Sequence, residues 1–117
     1  MRNDLEERLL DFGARVIRLV EALPKSVAGR RLGDQLLRSG TSVGANFEEA
    51  QGAESKEDFV HKLQVALKEA RESTYWLRLI ARSKLVKPEM VEGLIDESQQ
   101  IRAILSKSVA TVKGKAK

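Results

Sequence analysis

Chemistry in this chain has few places to start. Among 117 residues there is one histidine, His61, and no cysteine, which excludes thiol nucleophiles, disulfides and thiolate zinc sites. A nucleophilic serine needs a partnered base, and the only imidazole sits on a helical stretch, where solvation or a structural hydrogen bond is its ordinary role. The run RSGTSVGANFEEA, Arg38 to Ala50, gathers two glycines, three hydroxyls, Asn46 and two glutamates. A phosphate-cradling loop would follow a strand and end in Gly-Lys-Ser/Thr. No strand pattern precedes this run and no lysine lies inside it. Metal enzymes of the bundle type carry Glu-x-x-His pairs on facing helices, and none occurs here. The expectation is a protein that is not an enzyme, with no cofactor, no metal and no small-molecule substrate.

A cationic stripe is the better candidate. Lys68, Arg71, Tyr75, Arg78 and Arg82 recur at spacings of 3, 4, 3 and 4, one side of a helix, with no acid among them. Cations neutralise phosphates and a tyrosine stacks on an exposed base. Arg30, Arg31 and Arg38 are candidates to extend the patch. The competing reading is a solvated face with pairs such as Lys68 with Glu72 and Glu57 with His61. Net charge is +4, and residues 54–117 hold thirteen basic against nine acidic side chains, whereas residues 1–53 hold eight of each.

The elements that must position these residues are helices. Leu5, Leu9, Phe12, Val16, Leu19 and Leu23 form a seam averaging 3.5 residues, behind a capping-box pair of Asn3 and Glu6. Leu32, Leu36, Gly40, Val43, Phe47 and Ala50 carry the same period straight through the glycine–serine run, with Gly52 suited to a left-handed C-terminal position. Ser55 caps a third seam of Phe59, Leu63, Ala66, Ala70, Ser73, Leu77 and Ile80. Pro88 opens a fourth, Val91, Leu94, Ser98, Ile101, Leu105 and Val112, with Ser108 or Val109 between the last two. The expected fold is an all-α, antiparallel up-down-up-down four-helix bundle in one domain, residues 1–112. Its helices are expected near 4–23, 26–51, 56–84 and 88–111, with a basic disordered tail at 113–117. No apolar run approaches a membrane span, and the acidic start MRNDLEERLL is unlike a signal peptide, so a cytoplasmic protein is expected.

Within that frame the glycine–serine run is a helix thinned for close packing. Gly40 lies on the seam, Gly44 one turn on, and Ser39, Ser42 and Thr41 keep the surface low, with Trp76 or Tyr75 as fillers of the space. Asn46, Glu48 and Glu49 lie beside or outside the seam, and any of them that reaches inward needs a partner, with Arg38, Arg71 or a hydroxyl as candidates. Leu10 and Ile17 flank the first seam, and Val65, Trp76 and Leu79 flank the third. They exceed what a minimal seam needs and are candidates for a subunit interface.

As a set, these residues resemble the small four-helix-bundle proteins encoded in intervening sequences of bacterial 23S ribosomal RNA genes. The likeness rests on Leu23-Pro24, Gln35-Leu36-x-Arg38-Ser39, Ser42-Val43-x-x-Asn46 with Glu49 three further on, Ser55-x-x-Asp58-Phe59, and a third helix carrying Tyr75-Trp76-Leu77. It covers about 12–86. Where the family often has Asn-Ile-Ala-Glu-Gly, this chain has Asn46-Phe47-Glu48-Glu49-Ala50, so helix two is expected to run on to Gly52. The resemblance implies a four-helix bundle, a ring-like homo-oligomer (a pentamer) and no established enzyme activity. A similar bundle is the accessory protein of diversity-generating retroelements, where a basic surface engages nucleic acid and a reverse transcriptase. Two functions stay open: nucleic-acid binding through a basic outer surface, and a protein-interaction scaffold or accessory subunit without nucleic acid.

Overall fold

Ser26 and Ser55 set where two of the helices begin. Each is in extended conformation and accepts a hydrogen bond from the third residue on, Gly29 N–H at 3.1 Å and Asp58 N–H at 3.0 Å. These caps satisfy donors that a helix start leaves open. The structure is a computed structural model that describes residues 4–115. It contains α1 (Asp4–Ala22), α2 (Val27–Gln51), α3 (Lys56–Arg82) and α4 (Glu89–Lys115), with no strand among the described residues. Asn3 of the expected capping box lies outside them.

Two ends differ from expectation. Gly52 is not left-handed (φ −101°, ψ 18°); its N–H bonds to the Glu49 carbonyl at 3.2 Å and that of Ala53 to Ala50 at 3.1 Å. The last turn tightens to i→i+3 bonds, which ends α2 without a positive φ. The left-handed residue is instead Lys84, φ 60°, just after α3. At the other end, α4 continues through Lys113, Gly114 and Lys115, residues expected in a disordered tail. Lysines suit the negative end of a helix. Ala116 and Lys117 lie outside the described residues.

The seams meet in one core. Phe12, Val16, Leu36, Val43, Leu63, Leu77, Ile80, Val91, Ile101 and Leu105 are among its fully buried members. Val109 fills the position left open against Ser108. Leu9 meets Gly44, Val16 meets Gly40, and Val20 and Leu23 meet Gly33. Numbers fall along α1 as they rise along α2. The Ser39–Ser73 and Thr74–Ser98 hydroxyl pairs, at 3.2 and 2.8 Å, join α2 to α3 and α3 to α4 inside the core. Arg8 spans from α1 to Glu97 (2.7 and 2.8 Å) and Gln100 (2.7 Å) on α4. α1 and α4 touch least among the packed pairs, and among the described residues the α1 and α3 backbones do not approach closely.

The thinned stretch of α2 works as its composition implies. A Cβ on Gly40 would lie 2.9 Å from both Val16 methyls. The filler is therefore Val16 of α1, not Trp76 or Tyr75: the glycines face α1, whereas Tyr75 is exposed. Ser39, Thr41 and Ser42 donate to the carbonyls of Leu36, Leu37 and Arg38 at 3.4, 2.7 and 2.6 Å. Asn46, half-buried, donates to the Ser42 carbonyl at 2.9 Å rather than to a side chain.

Candidate nucleic-acid interface

The α3 face turned from the core carries Lys68, Arg71, Tyr75, Arg78 and Arg82, all exposed. They share a face because Leu63, Ala66, Ala70, Ser73, Leu77 and Ile80 claim the opposite one. None of the four cations makes an ion pair among the described residues; the pairs formed there belong to Arg8, Arg38 and Lys62. Glu72, the expected partner of Lys68, is taken by Arg38 at 2.6 Å. The Tyr75 ring is 58% exposed and meets Trp76 edge to face, centroids 5.0 Å apart at 76°.

The α2 arginines divide. Arg38 lies between Glu72 and Glu69 (3.2 Å) of α3; the Glu72 hydrogen bond and then the Glu69 charge raise its pKa further. Its charge is thus compensated within the fold. Arg31, seven residues before Arg38, occupies the same side of α2, exposed. Arg30 falls on another side, in register with Thr41 and Glu48, which line a groove against α1. Sequence periodicity missed Lys84. It lies beyond the end of α3, outside any helical register, yet it lines a hollow with Arg78, Ala81, Arg82 and Ile95. A lysine directly after Arg82-Ser83, where glycine or asparagine would end the helix without strain, was the available signal.

The second surface is apolar. Leu10 and Ile17, 61% and 46% exposed, lie with Gly13 and Ala14 of α1 along a groove of about 550 Å³, opposite Thr41, Gly44 and Ala45 of α2. Val65 and Leu79 are half-buried on α3, and Trp76 packs on the core with its indole Nε1 buried and without a hydrogen-bond partner. Glu49 is exposed, its carboxylate 3.9 Å from Lys62. His61 is exposed, beside Lys56, Glu57 and Lys113 in a shallow hollow. Among the described residues no three histidine or carboxylate side chains converge as a metal site, and no helix is long and apolar enough to cross a membrane.

The chain has recognisable relatives. The family model described as 23S rRNA-intervening sequence protein matches residues 3–107. The fold is similar to the crystal structure of a protein with unknown function from the S23 ribosomal protein family of Bacteroides thetaiotaomicron VPI-5482. That similarity has 38% identity and a TM-score of 0.83, over 89% of this chain and 96% of that one. Among curated proteins none matches.

Proposed function

This chain belongs to the 23S rRNA-intervening sequence protein family, and from that premise we propose that it is a non-enzymatic, oligomeric bundle that binds RNA or DNA through the outer face of α3. The observation that carries this reading is the row of four exposed cations without carboxylate partners among the described residues, interleaved with an exposed tyrosine. Charges serving only solvation tend to pair along a helix; here the nearby glutamates are drawn to α2. The family description names a 23S rRNA-intervening sequence, and the name of the Bacteroides protein gives a ribosomal protein family with unknown function.

The helices follow an up-down-up-down order, supported for α1 and α2 by Leu9–Gly44 with Leu23–Gly33 and for α2 and α3 by Ser39–Ser73 with Glu49–Lys62. Copies associate as a ring, as the pentamer that the resemblance implies. A ring joins two different surfaces head to tail. The Leu10–Ile17 groove lies on α1 and α2, whereas Val65 lies on α3. A ring repeats the α3 stripe around its rim, and several weak sites on one strand bind by avidity. The protein acts in the cytoplasm.

Binding to a structured RNA, titrated with salt, tests the reading. With four phosphates neutralised per subunit, log K should fall with log salt at a slope near −3. Arg71→Glu with Arg78→Glu should abolish binding at 0.15 M salt. Absence of binding at low salt, or binding indifferent to that double reversal, would favour the scaffold reading, for which the Leu10–Ile17 groove is the docking surface.

A further inference from the structure

Two shallow hollows meet at the C-terminal end of the α3 stripe, and Arg78 and Arg82 line both. The first, about 200 Å³, is completed by Tyr75 and Leu79. The second, about 360 Å³, is completed by Ala81, Lys84 and Ile95. Their chemistry differs: one offers an aromatic ring beside a leucine, the other three cations around two apolar side chains. Among the described residues no carboxylate lines either. We infer that this end of α3 holds an unpaired nucleotide of a single strand, its base against Tyr75 and Leu79 and its flanking phosphates against Arg78, Arg82 and Lys84. The inference rests on the nucleic-acid reading of the α3 face and names the substrate class of that site.

Four observations carry it. An arginine row alone would suit any phosphate backbone, because phosphate contacts position without selecting. An exposed tyrosine within that row adds something a duplex cannot use, since the faces of paired bases are hidden in the stack; unpaired bases stack on such rings. The ring is also held in place, because Trp76 meets it edge to face at 5.0 Å. Finally, Lys84 occupies a left-handed position, φ 60°, that glycine would fill without strain. The lysine there puts a third cation at the second hollow. The first hollow is smaller than the roughly 300–1,000 Å³ of small-molecule pockets, which fits one planar ring better than a free metabolite.

Fluorescence anisotropy with the full chain tests this. The probes are a labelled 12-nucleotide oligo-uridine, an oligo-thymidine of equal length, and a 12-base-pair duplex of mixed sequence. Tyr75→Ala should weaken single-strand binding on the order of tenfold and leave duplex binding unchanged. Tyr75→Phe should restore the single-strand affinity, because the ring and not the hydroxyl stacks. Tyr75-dependent binding of either the RNA or the DNA strand supports the inference. Trp76, the only tryptophan, should show quenched emission when a single strand saturates the protein. Equal losses for duplex and single strand in Tyr75→Ala, or no loss at all, overturn the inference and leave the basic-face reading standing. If Arg71→Glu with Arg78→Glu fails to weaken any of the three probes, the basic-face reading itself falls.

Discussion

Gly40 and Gly13 are both helical glycines, and their surroundings predict opposite outcomes for the same substitution. A methyl on Gly40 would lie 2.9 Å from two carbons of Val16, whereas one on Gly13 meets nothing within 4 Å. Alanine gains about 1 kcal/mol of helix propensity at either site. At Gly40, overpacking costs about 1–3 kcal/mol, so Gly40→Ala should destabilise by about 1 kcal/mol. Pairing it with Val16→Ala should give a loss smaller than the sum of the single losses. Gly13→Ala should stabilise by about 0.5–1 kcal/mol. Urea midpoints of the four variants check both signs. Lys84 gives a third residue-scale outcome. Lys84→Gly should stabilise the fold by about 1 kcal/mol, relieving a left-handed side chain. It should also reduce the salt slope of nucleic-acid binding by about 0.7–0.9, one lost phosphate contact.

Between elements, α1 is tied to α4 through Arg8 and Glu97, part-buried and bidentate at 2.7 and 2.8 Å. The hydrogen bond from Arg8 holds the Glu97 carboxyl below its ordinary 4.5, helped by the charges of Arg8 and Arg15 and opposed by burial. The folded state therefore binds this proton less readily than the unfolded chain. The stabilisation is complete above about pH 4.5 and is lost as pH falls through the folded value. Given that Arg8 is a third exposed, the pair contributes about 1 kcal/mol. Glu97→Gln should be less stable than the parent by about that amount at pH 7, and the gap should close below pH 4. Denaturant melts at pH 7, 5 and 3.5 follow the closing gap. The Ser39–Ser73 and Thr74–Ser98 hydroxyl pairs lie within the core, and each hydroxyl also has a carbonyl of its own helix as acceptor, so these pairs are not left orphaned if a helix shifts.

At the scale of the whole molecule, six large apolar side chains are exposed among the described residues, and two of them, Leu10 and Ile17, share one groove. Leu10 and Ile17 stand beside Gly13, Ala14 and Ala45 along a single groove, which is how association surfaces differ from scattered surface leucines. Leu10→Asp with Ile17→Asp should yield a monomer by light scattering at micromolar concentration, with helix content retained because neither side chain belongs to the core. Single-site nucleic-acid affinity of that monomer should persist, while the apparent affinity for long strands should fall at least tenfold as avidity is lost. An unchanged oligomer would overturn the groove as one side of the interface.

The seams at Leu9–Leu23, Leu36–Ala50, Leu63–Ile80 and Val91–Leu105 were legible in the sequence because a period near 3.5 must bury one face of each helix, whatever the partner. The glycine–serine run was legible for the same reason, since Gly40 stays in phase with Leu36 and Val43. Periodicity also put Lys68, Arg71, Tyr75, Arg78 and Arg82 on one exposed face. It could not assign partners, because ion pairs depend on which helices lie side by side. Only tertiary packing gave Arg38 to Glu69 and Glu72, turned Arg30 toward the α1 side, set Val16 against Gly40 and brought Lys84 back to Arg78. Side-chain spacing along one helix is fixed by bond geometry; contacts between helices come from how the four seams close on one another.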